Sequence, residues 1–414
     1  MNRKTARRAL WLAGAAMLAT TAVIGGTLAT AEPAAPAEGA IVNAGAEGAV
    51  AGRYVVVLKD TAADAVDRLA AKYGATVENR YRATIRGFSA RMAETQAKRL
   101  AADSAVSSVE AVRTVKAPQP TSQPAPARQA TRSAVSSWGL DRVNQRDLPL
   151  DGDSARPRDG GAGVTAYILD SGVRLTHEEF EGRATSGWDF VDNDPDASDA
   201  CGHGTHVAGT VAGKTFGVAP AARIVSVRVQ SCGVTLVASD SVLAGVDWVT
   251  ANAKRPAVVN MSLGYPGSSP ALENAVRRSI ASGITYTIAA GNFYVPACTF
   301  YPANVREAIT VANSNQKDHR SAESQWGDCV DIIAPGTDIV SSTFADDRSS
   351  GPMSGTSMAA PHVAGAAALY LARNPDASPE DVRRALVDSA TKDKIGWTLP
   401  GTPNLLLYTG SLGE

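Results

Sequence analysis

The sequence predicts an α/β chain: a doubly wound, mainly parallel sheet flanked by helices, preceded by a small α+β module. Three observations carry this. Residues 164–169, 224–229, 258–261 and 284–289 are short, mostly apolar runs, the pattern of strands buried on both faces of a parallel sheet. Residues 239–253 and 271–282 lie between such runs with helical length and periodicity, which gives βαβ units. Upstream, residues 53–58 read as a strand, 64–73 as a helix, 87–92 as an alternating strand, 94–101 as a second helix and 108–115 as extended chain.

The length of 414 residues exceeds one compact domain, and 44% apolar with 20% charged residues suffices for a large core without marking the chain as disordered or membrane-embedded. A net charge of −1, with no aromatic-basic pattern, supplies no electrostatic footprint for nucleic acid, which is excluded as a partner.

The first residues set the compartment. Arg3, Lys4, Arg7 and Arg8 form a cationic head, an apolar stretch follows, and Ala29-Thr30-Ala31 offers small residues for a signal peptidase. Residues 1–31 read as a signal peptide, because small residues and glycines weaken the stretch as a retained membrane anchor. Arg7-Arg8 leave general or twin-arginine export open. Residues 32–52 are an Ala/Glu/Pro/Gly-rich low-complexity segment, 53–116 the first folded module, 117–134 a cleavable Pro/Gln/Ala/Ser linker, and 135–414 the main domain.

The four cysteines fit export. Cys201 and Cys232, and again Cys298 and Cys329, lie 31 residues apart, which suggests two sequential bridges out of the three connectivities four cysteines allow. A zinc site would need closely spaced ligand pairs, which are absent.

In a doubly wound sheet, functional groups collect beyond the carboxyl ends of strands. Asp170 ends one apolar run and is followed by Ser171-Gly172, which lets the chain turn away; alone it reads equally as a cap or loop residue. His203 stands in Gly202-His203-Gly204-Thr205-His206, where glycines allow close backbone approach at a helix start. His206 reads as buried and structural, since the Glu of a His-Glu-x-x-His zinc motif is missing. Ser357 stands in Gly355-Thr356-Ser357-Met358-Ala359-Ala360-Pro361 ahead of a small-residue helix, where a backbone N–H and the positive helix end serve a developing oxyanion; the bland alternative is an N-cap serine. A serine hydroxyl needs an imidazole to take its proton, and the imidazole a buried carboxylate to hold its tautomer. The order Asp, His, Ser excludes an α/β-hydrolase, which requires Ser, acid, His.

This order and these three motifs resemble the subtilisin-like serine peptidases, and within them the proteinase K branch. The resemblance runs from Arg53 to the terminal Gly401-Thr402-Pro403-Asn404-Leu405-Leu406. It implies a secreted endopeptidase acting on proteins and peptides, with Asp170 orienting, His203 as base and then acid, and Ser357 as the nucleophile of an acyl-enzyme. Asn292, after Ala289-Ala290-Gly291, matches the oxyanion-hole asparagine; without the resemblance it is a plain turn residue. Ser262-Leu263-Gly264 and Ala289-Ala290-Gly291 match substrate-binding segments. They contain no acidic residue, so apolar or aromatic residues before the cut are expected; the alternative is strands ending in small residues for packing.

The resemblance needs no cofactor for the chemistry. It implies a structural calcium held by the carbonyls of Arg306 and Ala308 with the Asp331 carboxylate, and more weakly a second at Asp141, Gln145 and Asp151, where Asn144 replaces a charged ligand. The acidic loop Asp189, Asp192, Asp194, Asp196 and Asp199 reads as solvated surface. Residues 53–116 resemble a propeptide that assists folding and blocks the cleft until removed, with maturation between Gln129 and Ser137; the alternative is a permanent accessory domain. The remaining partner expectations are a monomer and no membrane association after signal removal. A catalytically silent peptide-binding protein on the same fold is the rival function.

Overall fold

The computed structural model describes residues 37–60, 65–116, 137–231 and 236–412. The stretches expected to be signal peptide and linker, and Cys232, lie outside these residues.

The N-terminal module runs β1 (Ile41–Val42), β2 (Ala49–Leu58), α1 (Val66–Tyr73), β3 (Thr76–Tyr81), β4 (Gly87–Arg91), α2 (Glu94–Ala101) and β5 (Val106–Lys116), with sheet order β1-β5-β2-β4-β3. Its sheet thus begins inside the stretch read as low-complexity. The pleat of β2 sends Tyr54, Val56 and Leu58 into the module's own core with Leu69, Phe88 and Leu100, while Val55 faces the main domain.

The main domain continues with α3 (Trp138–Asn144), β6 (Thr165–Asp170), β7 (Ala184–Asp189), α4 (His203–Ala212), β8 (Arg223–Arg228), β9 (Leu236–Ala238), α5 (Ser239–Asn252), β10 (Ala257–Met261), β11 (Tyr265–Pro266), α6 (Pro270–Ala281), β12 (Thr285–Ala289), β13 (Phe300–Tyr301), β14 (Ile309–Ser314) and β15 (Ile332–Pro335). It closes with β16 (Ile339–Ser342), β17 (Ser350–Met353), α7 (Thr356–Arg373), α8 (Pro379–Ser389), β18 (Thr391–Lys392) and β19 (Leu405–Leu406). Among the described residues the main sheet has the order β18-β19-β15-β14-β12-β10-β6-β8-β7, parallel except for the β18–β19 pair.

The sheet is buried on both faces, which explains why its strands are mostly apolar without a polar alternation. In β6, Ala166 and Ile168 enter the core under α4 and α7, while Tyr167 and Leu169 enter the core under α5 and α6. Helix α7 is buried over most of its length because Ala, Gly and Val dominate it and let it lie close against the sheet.

The module sits on α5, α6 and β9. Strand β5 adds antiparallel to β9, pairing Thr114 with Ala238 and Val115 with Val237. Asp247 of α5 accepts the N–H groups of Arg82, Ala83 and Thr84 at 3.0, 2.9 and 2.7 Å, and Glu110 of β5 accepts the Ala271 N–H at the start of α6 at 3.3 Å. No helix among the described residues is long and apolar enough to cross a membrane.

Candidate active site

Asp170 is the last residue of β6 and fully buried. Its Oδ1 accepts the His203 Nδ1–H and the Ser171 N–H, each at 2.7 Å. His203 opens α4, and Gly204 behind it is required: a Cβ there would overlap the Gly172 carbonyl oxygen and stand 3.1 Å from the Asp170 side chain. Burial opposes the imidazolium, but the charge and hydrogen bond of Asp170, with the charge of Asp199, outweigh it and hold the His203 pKa above the ordinary histidine value. Its partners thus suit a group that gains a proton during reaction.

Ser357 is the second residue of α7, behind the cap residue Gly355, so its hydroxyl is not engaged as an N-cap. Gly355 has φ 142° and ψ 169°, a conformation essentially confined to glycine, and a Cβ on it would stand 3.1 Å from Asn292 Nδ2. The Ser357 N–H is one of the donors a helix start leaves free, and it has no hydrogen-bond partner among the described residues. The Ser357 hydroxyl donates to the Ser262 carbonyl at 3.4 Å rather than to His203.

Asn292 is fixed through its oxygen. Its Oδ1 accepts the Thr356 N–H at 2.9 Å and the Thr356 hydroxyl at 3.0 Å, while that hydroxyl accepts the Gly291 N–H at 3.1 Å. These bonds settle the amide orientation and leave Nδ2 on the Gly355 side. The sequence does not single out Thr356; its position beside a serine gives no sign of partners in the loop after β12.

Behind Ser357 lies a second set of groups, of which the sequence marks only Ser262, and that one as part of a substrate-binding segment. Pro361 in α7 has no N–H for the Ser357 carbonyl four residues back, and the Ser262 hydroxyl donates to that carbonyl instead, at 2.9 Å. Asn260 Nδ2 donates to the Ser262 hydroxyl at 2.9 Å, and the Thr287 hydroxyl to Asn260 Oδ1 at 3.1 Å, all of them buried. Residues 262–264 and 289–291 leave the paired strands β10 and β12 side by side at one sheet edge. Leu263 is core, and so are Ala289 and Ala290.

His206 is buried, with its Nε2 at 2.9 and 3.1 Å from the Ile339 and Gly351 carbonyls, and burial holds it neutral at a pKa of about 3. Among the described residues no group of three His, Cys, Asp or Glu side chains could hold a metal ion. Asp331 accepts the Thr310 N–H at 2.8 Å and pairs with Arg383 at 3.2 Å; burial still pushes its carboxyl up to about 6. Asp141 accepts the Gly152 N–H and Gln145 the Asp151 N–H, so these groups share a loop already satisfied in part by backbone. Cys298 and Cys329 are bonded; Cys201 is also in a disulfide.

The acidic loop corrects the expectation of a solvated surface. Asp192, Asp194 and Asp196 are exposed. Asp189 is buried against Arg228 at 2.5 Å, and the Asp199 carboxylate is enclosed by donors from Ser171, Cys201, Gly202 and Thr205. Composition made the five residues look alike, but those at a strand end and ahead of a helix start have backbone donors to satisfy.

Known proteins share both parts. Residues 161–405 match the model of the subtilase family, and residues 53–118 that of peptidase inhibitor I9. The chain is 44% identical over 374 residues to alkaline serine exoprotease A of Vibrio alginolyticus, covering 87% of this chain and 68% of that protein. It is 40% identical over 384 residues to an extracellular serine proteinase of a Thermus species, covering 87% and 90%. A solved cold-adapted subtilisin-like serine proteinase is 49% identical with a TM-score of 0.64, covering 66% of this chain and 98% of that one. A strand-end acid paired to a helix-start imidazole, a serine at the head of a buried helix and these likenesses lead to one assignment: the chain belongs to the subtilase family of serine proteases and carries an inhibitor I9 propeptide domain.

Proposed function

We propose that the protein is a secreted, self-processing endopeptidase in which Asp170, His203 and Ser357 form the catalytic triad. The observation that carries this is the 2.7 Å hydrogen bond from His203 to a carboxylate buried at a strand end. In the reading, Asp170 keeps the proton on Nδ1 and so leaves Nε2 as the acceptor. His203 takes the Ser357 proton as the hydroxyl attacks the scissile carbonyl, and returns it to the leaving amine. The oxyanion is met by the Ser357 N–H and Asn292 Nδ2, two donors without other partners among the described residues. Water then hydrolyses the acyl-enzyme with His203 as base. Protein groups alone perform the chemistry.

An extended substrate would add to β9 as β5 does, which is strand addition with main-chain hydrogen bonds. Residues 262–264 would form the other side and, with 289–291, an uncharged pocket favouring apolar or aromatic residues before the cut. The propeptide, residues 53–116, would block this groove by its last strand until the linker at 117–134 is cut between Gln129 and Ser137. The signal at 1–31 and the disulfides support export; the Thermus relative is by its name extracellular. A monomer is the expected state.

A structural calcium fits Asp331 in one respect. Its buried charge is compensated incompletely by Arg383, and a cation with the Arg306 and Ala308 carbonyls would complete it. The Asp141, Gln145 and Asp151 loop is the weaker second candidate.

The test is the mass of the secreted wild type beside that of Ser357→Ala, both purified without added protease. Loss of the propeptide in wild type alone supports the nucleophile and self-maturation together. Full mass after signal removal in both favours the silent peptide-binding alternative.

A further inference from the structure

We propose that Asp199 is a positioning residue for His203: a second carboxylate that locks the start of α4 to the end of β6 and adds negative charge behind the imidazole. This rests on the assignment of His203 as the general base.

The geometry joins both sides of the acid-imidazole pair. Asp199 Oδ1 accepts the Ser171 hydroxyl at 2.9 Å and the N–H groups of Cys201 and Gly202, both at 2.8 Å. Its Oδ2 accepts the Thr205 N–H at 2.9 Å and the Thr205 hydroxyl at 2.5 Å. Ser171 directly follows Asp170, and its hydroxyl accepts the Gly204 N–H at 3.0 Å. The residues on either side of His203, and the residue after Asp170, therefore hang on one carboxylate and one hydroxyl. A helix cap needs only the Thr205 contact. The bonds to Ser171, Cys201 and Gly202 fall outside the helix and bear on the pair instead.

Five donors converge on Asp199, and the two hydroxyls among them already accept N–H groups from Gly204 and Arg174, so the arrangement requires the carboxylate. Loss of hydration holds its pKa above the ordinary aspartate value, and the donors offset that rise in part. Among the described residues, other titratable and charged groups also stand near His203. Asp170 faces it from β6, and His206 one turn along α4 stays neutral above its pKa of about 3. The Arg174 N–H donates to the Thr205 hydroxyl at 2.9 Å, but its guanidinium is taken by Asp347 at 2.7 Å and the Phe344 carbonyl at 3.1 Å. Asp199 is thus the charge after Asp170 that favours the imidazolium.

The experiment uses the full-length chain as wild type, Asp199→Asn, Ser171→Ala and His203→Ala. Active sites are counted with a covalent serine-directed inhibitor, and kcat and kcat/KM for a small chromogenic peptide are followed from pH 5 to 9. For Asp199→Asn the expected acidic limb of kcat/KM moves down by roughly half to one pH unit, with kcat per titrated site lower by about 10- to 100-fold and KM within about threefold. Ser171→Ala keeps the carboxylate, so the limb stays while kcat falls less. An unchanged limb and unchanged kcat per site in Asp199→Asn, with only yield or melting temperature reduced, would overturn the proposal and leave a helix cap. If Asp199→Asn does not fold, Ser171→Ala decides: kcat per site equal to wild type overturns the positioning role. His203→Ala separates the layers, because retained activity there would sink the base assignment itself.

Discussion

Ser262→Ala removes the hydroxyl that stands in for a missing helix hydrogen bond. Pro361 leaves the Ser357 carbonyl without its intrahelical donor, and the Ser262 hydroxyl supplies one at 2.9 Å while accepting Asn260 Nδ2 at 2.9 Å. The variant strands a buried carbonyl and a buried amide N–H. Each of the two unsatisfied groups costs about 1–3 kcal/mol, so a total loss of roughly 2–6 kcal/mol is expected, less whatever a small shift of Asn260 recovers. In a domain of this size that corresponds to a fall in melting temperature of about 4–10 °C. Pro361→Ala restores an N–H in the second turn of α7, directed at the same carbonyl. It should change stability little by itself, yet in Ser262→Ala it should return about half of the loss, the half belonging to the carbonyl. This non-additivity is what a double-mutant cycle detects. Thermal and urea unfolding would be measured in a Ser357→Ala background, which stops self-digestion and keeps the carbonyl. Additive effects of Ser262→Ala and Pro361→Ala would refute the exchange of one donor for another. A raised KM of Ser262→Ala in the enzyme that keeps Ser357, with unaltered stability, would instead return the Ser262 side chain to substrate binding.

Two further outcomes are expected at the site. Thr356→Val keeps the backbone donor to Asn292 but removes the hydroxyl that holds its Oδ1 and receives Gly291. Turnover should fall by about 10-fold, short of the 10²–10³ found in this family when an oxyanion donor is lost, with KM unchanged; unchanged kcat would show that the amide needs no such anchor. Chelation of calcium should lower the melting temperature of wild type by several degrees and that of Asp331→Asn by much less, read by scanning calorimetry; an equal shift in both would remove Asp331 from any calcium site.

The sequence was most legible where one element decides its own fate. Helix α2 falls on the residues that periodicity indicates, and β10 and β12 begin within a residue of their apolar runs, because strands buried on both faces are mostly apolar and show no solvent-facing alternation. Strand β3, Thr-Val-Glu-Asn-Arg-Tyr, was invisible: it is an edge strand with a register shift between Val77 and Asn79, so its polar residues follow solvent rather than alternation. Helix α8 was missed although Ser378 and Asp381 form a capping box, a signal that four consecutive residues carry by themselves. Asp170, His203 and Ser357 stood out because each sits at an element boundary marked by glycine. Asn260 and Thr287 did not, and Ser262 did so only as part of a substrate segment, because their meaning lies in partners 95 and 27 residues away across the sheet and α7.

The acidic loop shows where local reading could have gone further. Its five aspartates differ in the backbone donors on their C-terminal side, not in charge density. Asp189 closes β7, and the turning chain brings the N–H groups of Val191 and Asp192 back to its Oδ1, with Arg228 from the next strand on Oδ2. Asp194 and Asp196 also receive N–H groups two residues on, but they do so at the exposed tip, where water competes. Asp199 precedes Cys201-Gly202-His203-Gly204-Thr205, so its carboxylate meets both the loop donors and a helix start. An aspartate a few residues before a glycine-flanked histidine at a helix start therefore has donors whose position is fixed by the backbone. Its burial follows from that placement, whereas a count of carboxylates in the loop predicts the opposite.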